Sequence, residues 1–300
     1  MDFYFSRFEH RRPPEPLSTP RWVRMIWQVL AVAALVLGAN YIYWRWTASL
    51  NTDALWYAIP LVLAETLAWI GTVLFTINLW QEKDPPPGVP PTEINDCLRA
   101  DEAVESRPIK VDLFIATYSE DVELVRLSIR DAMRMTYPGP LDYKVHVLDD
   151  GRRPEMKAVC EQEGANYITR QSNIGYKAGN LRNGLEHTDG DFLIICDADT
   201  RVFPTLLSHT LGYFRDPDVA WVQTPQWFFD LPEAESLSRW GQRKAGKVGY
   251  GLGWLIQKCV GPVTIGRDPF FNDPRMFYDV ILRRRNWANA AFCCGAASIH

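Results

Sequence analysis

The chain lacks the patterns that mark several common protein classes. It has no basic excess, since its formal net charge is -4, whereas nucleic-acid-binding domains usually carry a basic stripe. Its 6 cysteines include no C-x-x-C pair and no histidine at zinc-ligand spacing, which argues against a zinc-ribbon or thioredoxin-like site. We interpret them as reduced thiols of a cytosolic compartment, with adjacent Cys293 and Cys294 in a small apolar core run rather than a redox or metal pair.

The sequence does have two long apolar runs near its beginning. Residues 22–44 and about 54–80 consist mainly of apolar residues, and at about 1.5 Å per helical residue each is long enough to cross a hydrocarbon layer about 30 Å thick. The first run exceeds the apolar length of a secretory signal, about 7 to 15 residues. Because only residues 45–53 separate the runs, they predict a transmembrane helical hairpin over 22–80.

Basic residues predict the orientation of this hairpin. Five arginines lie in the polar tail, residues 1–21, or at the start of the first run: Arg7, Arg11, Arg12, Arg21 and Arg24. The link between the runs carries Arg45 alone. Positive residues favour the cytoplasmic side, so we expect both ends of the hairpin in the cytoplasm. Glu65, near the middle of the second run, is either a functional carboxylate or a hydrogen-bonding partner of a neighbouring helix.

A proline-rich linker and lead-in, residues 81–109, mark the predicted domain boundary, because a stretch such as QEKDPPPGVPP is stiff and extended. Beyond it, over 110–300, short apolar runs alternate with helical patterns. Near-continuous apolar strands joined by helices indicate a parallel sheet covered on both faces, and therefore an α/β domain. Five runs are the predicted strands: 111–117, 143–148, 165–169, 192–196 and 219–224.

Polar motifs follow several of these strands, at the sheet edge where α/β proteins bind ligands. Residues 117–120 (Thr-Tyr-Ser-Glu) suit either a ligand or the N-cap of a helix. Residues 149–151 (Asp-Asp-Gly) offer carboxylates that can accept hydrogen bonds from a base or a ribose, although Asp and Gly are also ordinary turn residues. Neither motif is decisive alone.

A third motif, residues 197–199 (Asp-Ala-Asp), favours a metal site. Alternate residues of an extended chain point the same way, so Asp197 and Asp199 can face one divalent cation, which would relieve their mutual repulsion. Such oxygen ligands suit Mg²⁺ or Mn²⁺ bound to phosphate. Lys177, between glycines near a predicted helix start, adds positive charge and backbone amides for a phosphate.

Taken together, the motifs resemble the processive glycosyltransferases of family 2, specifically the catalytic subunit of bacterial cellulose synthase and its relatives. In chain order they are Thr-Tyr-Ser-Glu (117–120), Asp-Asp-Gly (149–151), Lys-Ala-Gly-Asn (177–180), Asp-Ala-Asp (197–199), Gln-Thr-Pro (223–225) and Phe-Cys-Cys-Gly (292–295). Residues 43–45 (Tyr-Trp-Arg), at the end of the first span, also look like that group. The resemblance covers nearly the whole chain after the tail.

The resemblance implies a GT-A fold, which is Rossmann-like, and a UDP-sugar taken from the cytosol. The uridine would be held by residues that follow the first two strands: Thr117, Tyr118, Glu120, Asp149 and, in support, Asp150. Lys177 and Asp197 would contact the diphosphate, and Asp199, with Asp197, would bind Mg²⁺ or Mn²⁺. In an inverting transfer such an ion stabilises the charge that develops on the departing UDP.

The later motifs are implied to line the acceptor path, where aromatic faces stack on sugar rings. The candidate residues are Gln223, Thr224, Pro225, Trp227, Cys294 and Gly295. A competing interpretation of the aromatic residues after Pro225 is an anchor at the membrane surface. Residues 240–260, which mix lysines, glycines and apolar side chains, are a candidate amphipathic helix on the bilayer.

The family pattern continues to a Thr-Glu-Asp motif, whose aspartate acts as the base on the acceptor, and to a Gln-x-x-Arg-Trp motif. Neither motif occurs in this sequence, and a base must reach the proton that it removes. We therefore assign no catalytic base. We expect this polypeptide, as a C-terminally incomplete GT-A domain, to bind donor without elongating a glucan.

The leading hypothesis is a multi-pass protein of the bacterial inner membrane, with a cytoplasmic catalytic domain, that transfers glucose from UDP-glucose to a growing β-glucan. Its expected partners are the UDP-sugar, the glucan acceptor, membrane lipid and accessory synthase subunits, with no nucleic acid. Two alternatives stay open. One is a synthase that uses another UDP-sugar or makes another linkage, and the other is a non-catalytic, UDP-sugar-binding membrane scaffold.

Overall fold

The computed structural model describes residues 11–12, 16, 20–82, 85–228, 235–260, 264–265 and 276–300. Most of the predicted tail lies outside these described residues. The described chain forms two compact units: one comprises Pro85–Gln226 and Phe292–His300, and the other comprises residues 11–82 and Trp227–Ala291. The predicted domain 110–300 thus contributes to both units, and its functional boundary stays a prediction.

Strands and helices follow one another in the order that the apolar runs predict. The described strands are β1 (Ile109–Thr117), β2 (Leu141–Asp149), β3 (Asn166–Ile168), β4 (Phe192–Asp197), β5 (Val222–Gln223), β6 (Glu235–Ser236), β7 (Thr264–Ile265) and β8 (Ser298–Ile299). The described α-helices are α1 (Arg21–Thr47), α2 (Leu55–Asn78), α3 (Val122–Met133), α4 (Pro154–Glu163), α5 (Tyr176–Glu186), α6 (Leu206–Thr210), α7 (Leu237–Val260) and α8 (Arg283–Arg285). A π-helical turn, Met276–Leu282, leads into α8.

The first unit is built on a six-stranded sheet with the order β3-β2-β1-β4-β8-β5. β1, β2, β3 and β4 are parallel, in a register that places Thr117 beside Asp149 and Ala116 beside Asp197. The α/β class is therefore confirmed. The sheet is mixed rather than wholly parallel, because β8 pairs antiparallel with both β4 and β5. A two-residue strand carries no alternation that a sequence pattern can reveal.

Helices cover both faces of this sheet. On one face, Leu113 and Ile115 of β1 belong to a buried cluster with Ile129 of α3 and Met156 of α4, and each fully buried side chain of this kind stabilises the fold by about 1.5–3 kcal/mol. On the other face α5 packs directly on the strands, since a Cβ on Gly184 would lie 2.7 Å from the Phe114 ring. This packing holds α5 against β1 and β2.

In the second unit, α1 and α2 are long and apolar enough to cross a membrane. They contact each other through polar groups as well as apolar ones. Arg45 Nε donates to Glu65 Oε2 at 2.6 Å, and Trp46 Nε1 donates to Thr66 Oγ1 at 3.1 Å. Glu65 therefore has a partner on the neighbouring helix, which favours the structural interpretation of this carboxylate.

Candidate active site

A cavity of about 590 Å³ opens at the carboxyl ends of β1 and β4. It lies where the strand order reverses, with β2 on one side of β1 and β4 on the other, and open α/β sheets bind ligands at such a switch point. Its lining contains every residue predicted for the donor or the metal except Asp149: Thr117, Tyr118, Glu120, Asp150, Lys177, Asp197 and Asp199. The sheet thus brings together motifs that are widely separated in the sequence.

Asp149 is fully buried and does not line the cavity. Its Oδ2 accepts hydrogen bonds from the Tyr167 hydroxyl at 3.0 Å and from the Arg153 backbone amide at 2.8 Å. The Arg153 guanidinium lies 3.1 Å from the same carboxylate and also donates to Thr117 Oγ1 at 2.8 Å. In this structure Asp149 therefore reaches the cavity indirectly, through Arg153 and Thr117.

The loop after β1 is organised around Glu120. Its Oε2 accepts hydrogen bonds from Thr117 Oγ1 at 2.8 Å and from the backbone amides of Tyr118 and Ser119 at 2.7 and 3.1 Å. Burial opposes ionisation of this carboxyl, but the hydrogen bonds outweigh burial and hold the pKa of Glu120 below its usual range. A Cβ on Gly151 would lie 2.2 Å from the Tyr118 carbonyl oxygen, so the turn after β2 can approach this loop only with glycine.

Asp150 forms a bidentate pair with Arg170, which follows β3. Arg170 Nε lies 2.6 Å from Asp150 Oδ1, and Nη2 lies 2.7 Å from Oδ2. The same guanidinium donates to the carbonyl oxygens of Ile174 and Tyr176 at 2.6 and 2.9 Å. A guanidinium is suited to this arrangement because its planar fork can serve several acceptors at once. Arg170 consequently fixes the loop before α5 against the end of β2.

The start of α5 is a tight, glycine-dependent turn. Gly175 adopts a φ of +76°, and Gly179 lies so close to the Ile174 carbonyl oxygen that a Cβ there would meet it at 2.1 Å. This turn directs Lys177 toward two acceptors. Its Nζ pairs with Asp197 Oδ1 and donates to the Gly295 carbonyl oxygen at 2.8 Å. Lys177 therefore connects α5 with the ends of β4 and of the segment before β8.

Asn180 lies one turn after Lys177 on α5 and also lines the cavity. It is only 2% exposed, and its Nδ2 donates to the Leu148 carbonyl oxygen at 2.8 Å. Its Oδ1 is buried and has no hydrogen-bond partner within the described residues. A buried acceptor without a partner costs about 1–3 kcal/mol, so this oxygen indicates a position for a hydrogen-bond donor of a ligand.

The carboxylates of the cavity differ in how they are compensated. Asp150 is paired with Arg170, Asp197 with Lys177, and Glu120 receives hydrogen bonds from a hydroxyl and from backbone amides. Asp199 is exposed, and the described part of the chain supplies no cation or donor to it. It is thus available to a ligand or a cation.

A divalent cation fits this donor set. Asp197 and Asp199 supply hard carboxylate oxygens of the kind that Mg²⁺ and Mn²⁺ prefer. No group of three or more metal-binding side chains occurs in the described ranges, so protein side chains alone do not complete a cation shell there. Mg²⁺ is often held by one or two carboxylates together with substrate phosphates and water.

The acceptor-path candidates of the first unit lie together beside β8. Gln223 Oε1 accepts from the Cys294 backbone amide at 2.7 Å, and Gln223 Nε2 donates to the Ala296 carbonyl oxygen at 2.9 Å. Thr224 Oγ1 donates to the Ala297 carbonyl oxygen at 2.7 Å. These hydrogen bonds position the segment that presents the Gly295 carbonyl to Lys177.

The remaining candidates have a different placement. Pro225 is exposed, and Trp227 belongs to the second unit, so its place on an acceptor path stays a prediction. Cys293 is exposed as well. The expectation that Cys293 lies in an apolar core run is therefore wrong, because this exposed side chain has polar neighbours, with its Sγ 3.4 Å from Ser298 Oγ and 3.7 Å from His300 Nε2.

Sequence reasoning missed Arg153 and Arg170 as site residues. Arg153 directly follows the Asp-Asp-Gly motif, but nothing in the sequence shows that it contacts Asp149. Arg170 meets Asp150 only because β2 and β3 are neighbouring parallel strands. Asn180 does have a sequence signal, since it ends the Lys-Ala-Gly-Asn motif, although its unpaired oxygen appears only in the structure.

Comparison with known proteins gives a family match and several curated relatives. The model described as glycosyl transferase family 2 matches residues 112–291. A UDP-forming cellulose synthase catalytic subunit of Pseudomonas fluorescens is 35% identical over 276 residues, which is 90% of this chain and 32% of that protein. One from Xanthomonas axonopodis pv. citri is 29% identical over 285 residues, or 92% of this chain and 33% of that protein. The chain thus spans about a third of the length of these two relatives.

Solved structures give more distant matches. A mannosyltransferase from Pyrobaculum calidifontis, in complex with GDP-Man and Mn²⁺, is 17% identical with a TM-score of 0.39, covering 68% of this chain and 48% of that one. A glucosyl-3-phosphoglycerate synthase from Mycobacterium tuberculosis is 18% identical with a TM-score of 0.30, covering 37% of this chain and 43% of that one.

Proposed function

The chain belongs to glycosyl transferase family 2, and on that premise we propose that it binds the UDP-sugar donor of a membrane-anchored β-glucan synthase. Its relatives among the cellulose synthase catalytic subunits make UDP-glucose the preferred donor and cellulose the preferred product. The observation that carries the proposal is the cavity whose lining brings the uncompensated Asp199 together with Lys177, Asp197 and Asn180. Such a site suits a ligand that brings phosphate, a cation and hydroxyl donors.

The uridine would lie against the loops after β1 and β2. Tyr118 is 58% exposed at the cavity and offers an aromatic face. Thr117, Glu120 and Asp150 offer acceptors, and Asp149 acts by holding Arg153 against Thr117. Asn180 Oδ1 would accept a hydrogen bond from a ribose hydroxyl or from the base.

The diphosphate would lie between α5 and the end of β4. Lys177 supplies the positive charge, and it is already held there by Asp197 and the Gly295 carbonyl. Asp199, together with Asp197, would hold Mg²⁺ or Mn²⁺. When bound, such an ion stabilises the negative charge that develops on the departing diphosphate.

The same proposal includes a place for the glucan acceptor but assigns no catalytic base. Gln223 and Thr224 position residues 294–297 beside the donor cavity, so a glucan end approaching there would meet Cys294 and Gly295. No residue of this chain is assigned as the base that removes the acceptor proton. The Thr-Glu-Asp motif that supplies this base in the family is absent from the sequence.

The proposed location is the bacterial inner membrane. α1 and α2 would span it as a hairpin, and the arginines that precede α1 would keep both ends of the hairpin, and the donor cavity, on the cytoplasmic side. A reporter fused after Pro91 should report a cytoplasmic location. A periplasmic signal would contradict the proposal, because the cavity would then lie on the other side of the membrane from the UDP-sugar.

The decisive experiment concerns Asp199. Isothermal titration calorimetry of the detergent-solubilised chain with UDP should show binding that strengthens at least about tenfold with Mn²⁺ or Mg²⁺, a change of about 1.4 kcal/mol. Asp199→Asn should remove this metal dependence. Asp101→Asn, at an exposed carboxylate outside the cavity, should keep it. UDP binding that is unchanged in Asp199→Asn would contradict the proposal.

The identity of the donor sugar is tested by comparing the affinities of three UDP-sugars. UDP-glucose, UDP-galactose and UDP-N-acetylglucosamine, each titrated with Mn²⁺, should differ in affinity if the cavity reads the sugar, with UDP-glucose the tightest. Tighter binding of another sugar would redirect the proposal to a different polysaccharide.

A further inference from the structure

α7 is a helical hairpin rather than one long helix. Ala245 and Gly246 have non-helical backbone angles, and the two halves fold back on each other. A Cβ on Gly241 would lie 2.2 Å from the Gly249 carbonyl oxygen, and a Cβ on Gly253 would lie 2.6 Å from the Leu237 carbonyl oxygen. The two backbones are therefore in direct contact through glycine, which leaves the larger side chains of the second half pointing away from the first half.

These larger side chains form an exposed apolar stripe, defined as Val248, Leu252, Leu255 and Cys259. They follow one another at intervals of three or four residues, which places them on one side of a helix with about 3.6 residues per turn. Val248 is 76% exposed, Leu252 61% and Leu255 56%. Aliphatic side chains arranged in this way usually mark a contact surface.

Lysines and aromatic rings border the stripe. Lys247 and Lys258 are both exposed, and Lys258 Nζ lies 4.4 Å from the centre of the Trp254 ring. A helix that combines an apolar stripe with lysines and tryptophan is typical of segments that lie in the interface of a bilayer. Positive side chains at this border are attracted by anionic lipid headgroups.

The compact unit that contains α7 also contains the candidate spanning helices. Residues that follow α7 in the chain contact the end of α2 and the residues just after it. Trp287 Nε1 donates to the Asn78 carbonyl oxygen at 3.0 Å, and Arg283 lies 3.4 Å from Glu82. The stripe therefore belongs to the same compact unit as the proposed membrane anchor.

We propose that the stripe of α7, bordered by Lys247 and Lys258, docks on the anionic lipid surface of the membrane that α1 and α2 span. This inference rests on the proposed membrane anchoring. It does not depend on the donor cavity, because that cavity is lined by residues of the first unit alone. Docking would attach the segment between β5 and β8 to the bilayer.

Cys259 provides a test with the full chain. It is an exposed thiol on the stripe, and Cys293 is an exposed thiol in the other unit. The chain is reconstituted in nanodiscs of phosphatidylcholine alone or of phosphatidylcholine with phosphatidylglycerol, and a membrane-impermeant maleimide labels it. Mass spectrometry gives the ratio of the two labelling rates, corrected by the same ratio in denaturant.

We expect Cys259 to react about tenfold more slowly than Cys293 in the anionic nanodiscs at low salt. In the same nanodiscs, Cys259 should react several-fold faster at high salt than at low salt, because the salt screens the lysines. Lys247→Glu and Leu252→Gln should each remove most of this protection. Lys157→Glu, the same charge change on an exposed lysine of α4, should not. Both stripe variants change exposed positions, and an unchanged far-UV circular dichroism spectrum and melting temperature of the full chain show that they remain folded.

Equal labelling of Cys259 and Cys293 in both lipid compositions would overturn the inference. Protection that depends on protein concentration but not on lipid charge would assign the stripe to a second copy of the chain and would also overturn it. Neither result would affect the proposed donor site, which fails separately if Asp199→Asn leaves UDP binding unchanged.

Discussion

Arg170 holds Asp150 with two parallel hydrogen bonds, 2.6 Å from Nε to Oδ1 and 2.7 Å from Nη2 to Oδ2. The two side chains are 11% and 8% exposed. Because the same guanidinium also bonds the carbonyl oxygens of Ile174 and Tyr176, the pair joins the end of β2 to the loop that positions Lys177. The stability of the first unit and the shape of the cavity therefore depend on the same contact.

Removing this arginine should destabilise the chain strongly. Arg170→Met leaves Asp150 as an uncompensated buried charge, and we expect the free energy of unfolding to fall by about 3 kcal/mol. Denaturant unfolding of the first unit in detergent measures this change. Arg182→Met, which breaks an exposed ion pair with Glu186, is the matched control and should change little.

The double variant Arg170→Met/Asp150→Leu distinguishes the cost of an unpaired Asp150 charge from the cost of losing the packing of the Arg170 side chain. It should be more stable than Arg170→Met alone, because it leaves no unpaired charge. A double variant that is no more stable than the single one would contradict the assignment of the stability loss to Asp150.

Asn180 should contribute to ligand affinity beyond its contribution to stability. Asn180→Ala removes a side chain of the cavity lining together with its buried, unpaired Oδ1, and we expect UDP with Mn²⁺ to bind about tenfold more weakly, which equals about 1.4 kcal/mol. Asn183→Ala is the control on the same helix, since Asn183 Nδ2 is also buried without a partner but lies outside the cavity lining. Equal loss of UDP affinity in both variants would show that the effect is only structural.

Glu120 should make the stability of the first unit depend on pH. Its pKa lies below the ordinary 4.5 in the folded chain. A carboxyl with a lowered pKa contributes its full stabilisation above that ordinary value and loses it as the pH falls through the folded-state pKa. The melting temperature of the wild type should therefore exceed that of Glu120→Gln at pH 7, and the difference should shrink below about pH 4.5. A constant difference from pH 7 to pH 3.5 would contradict this role.

Gly179 should tolerate no side chain. Gly179→Ala would place a Cβ 2.1 Å from the Ile174 carbonyl oxygen, so the turn before α5 must move and Lys177 must leave its place beside Asp197. We expect UDP affinity to fall by about tenfold or more. Gly251→Ala is the matched control, because nothing lies within 4 Å of its Cβ position and alanine favours a helix by up to about 1 kcal/mol. Full UDP affinity in Gly179→Ala would show that the turn does not position the donor site.

The sequence predicted the sheet well where its strands are long and apolar. β1, β2 and β4 each extend the predicted run by a few residues at most, because a strand buried on both faces needs consecutive apolar residues. β5 and β8 are two residues long each. Their position is decided by pairing with β4 and with each other, and a pattern in one short segment cannot contain that information.

The candidate site, like the sheet, was predicted only in part from the sequence. The polar residues that follow long strands were predicted together, because the carboxyl ends of parallel strands meet at one edge of a sheet. The burial of Asp149, its contact with Arg153 and the separation of Trp227 into the second unit were not predicted. Each of these depends on which side chains the folded backbone brings within hydrogen-bonding distance.

The amino-acid sequence by itself determined the α/β class, the two apolar helices and the acidic motifs at the ends of strands, since these follow from local periodicity and composition. Only the tertiary structure decided that Asp150 and Asp197 are already paired with Arg170 and Lys177 while Asp199 is left without a partner in the described chain. The physical reason is that charge compensation depends on distances between residues far apart in the chain, and these distances exist only after folding.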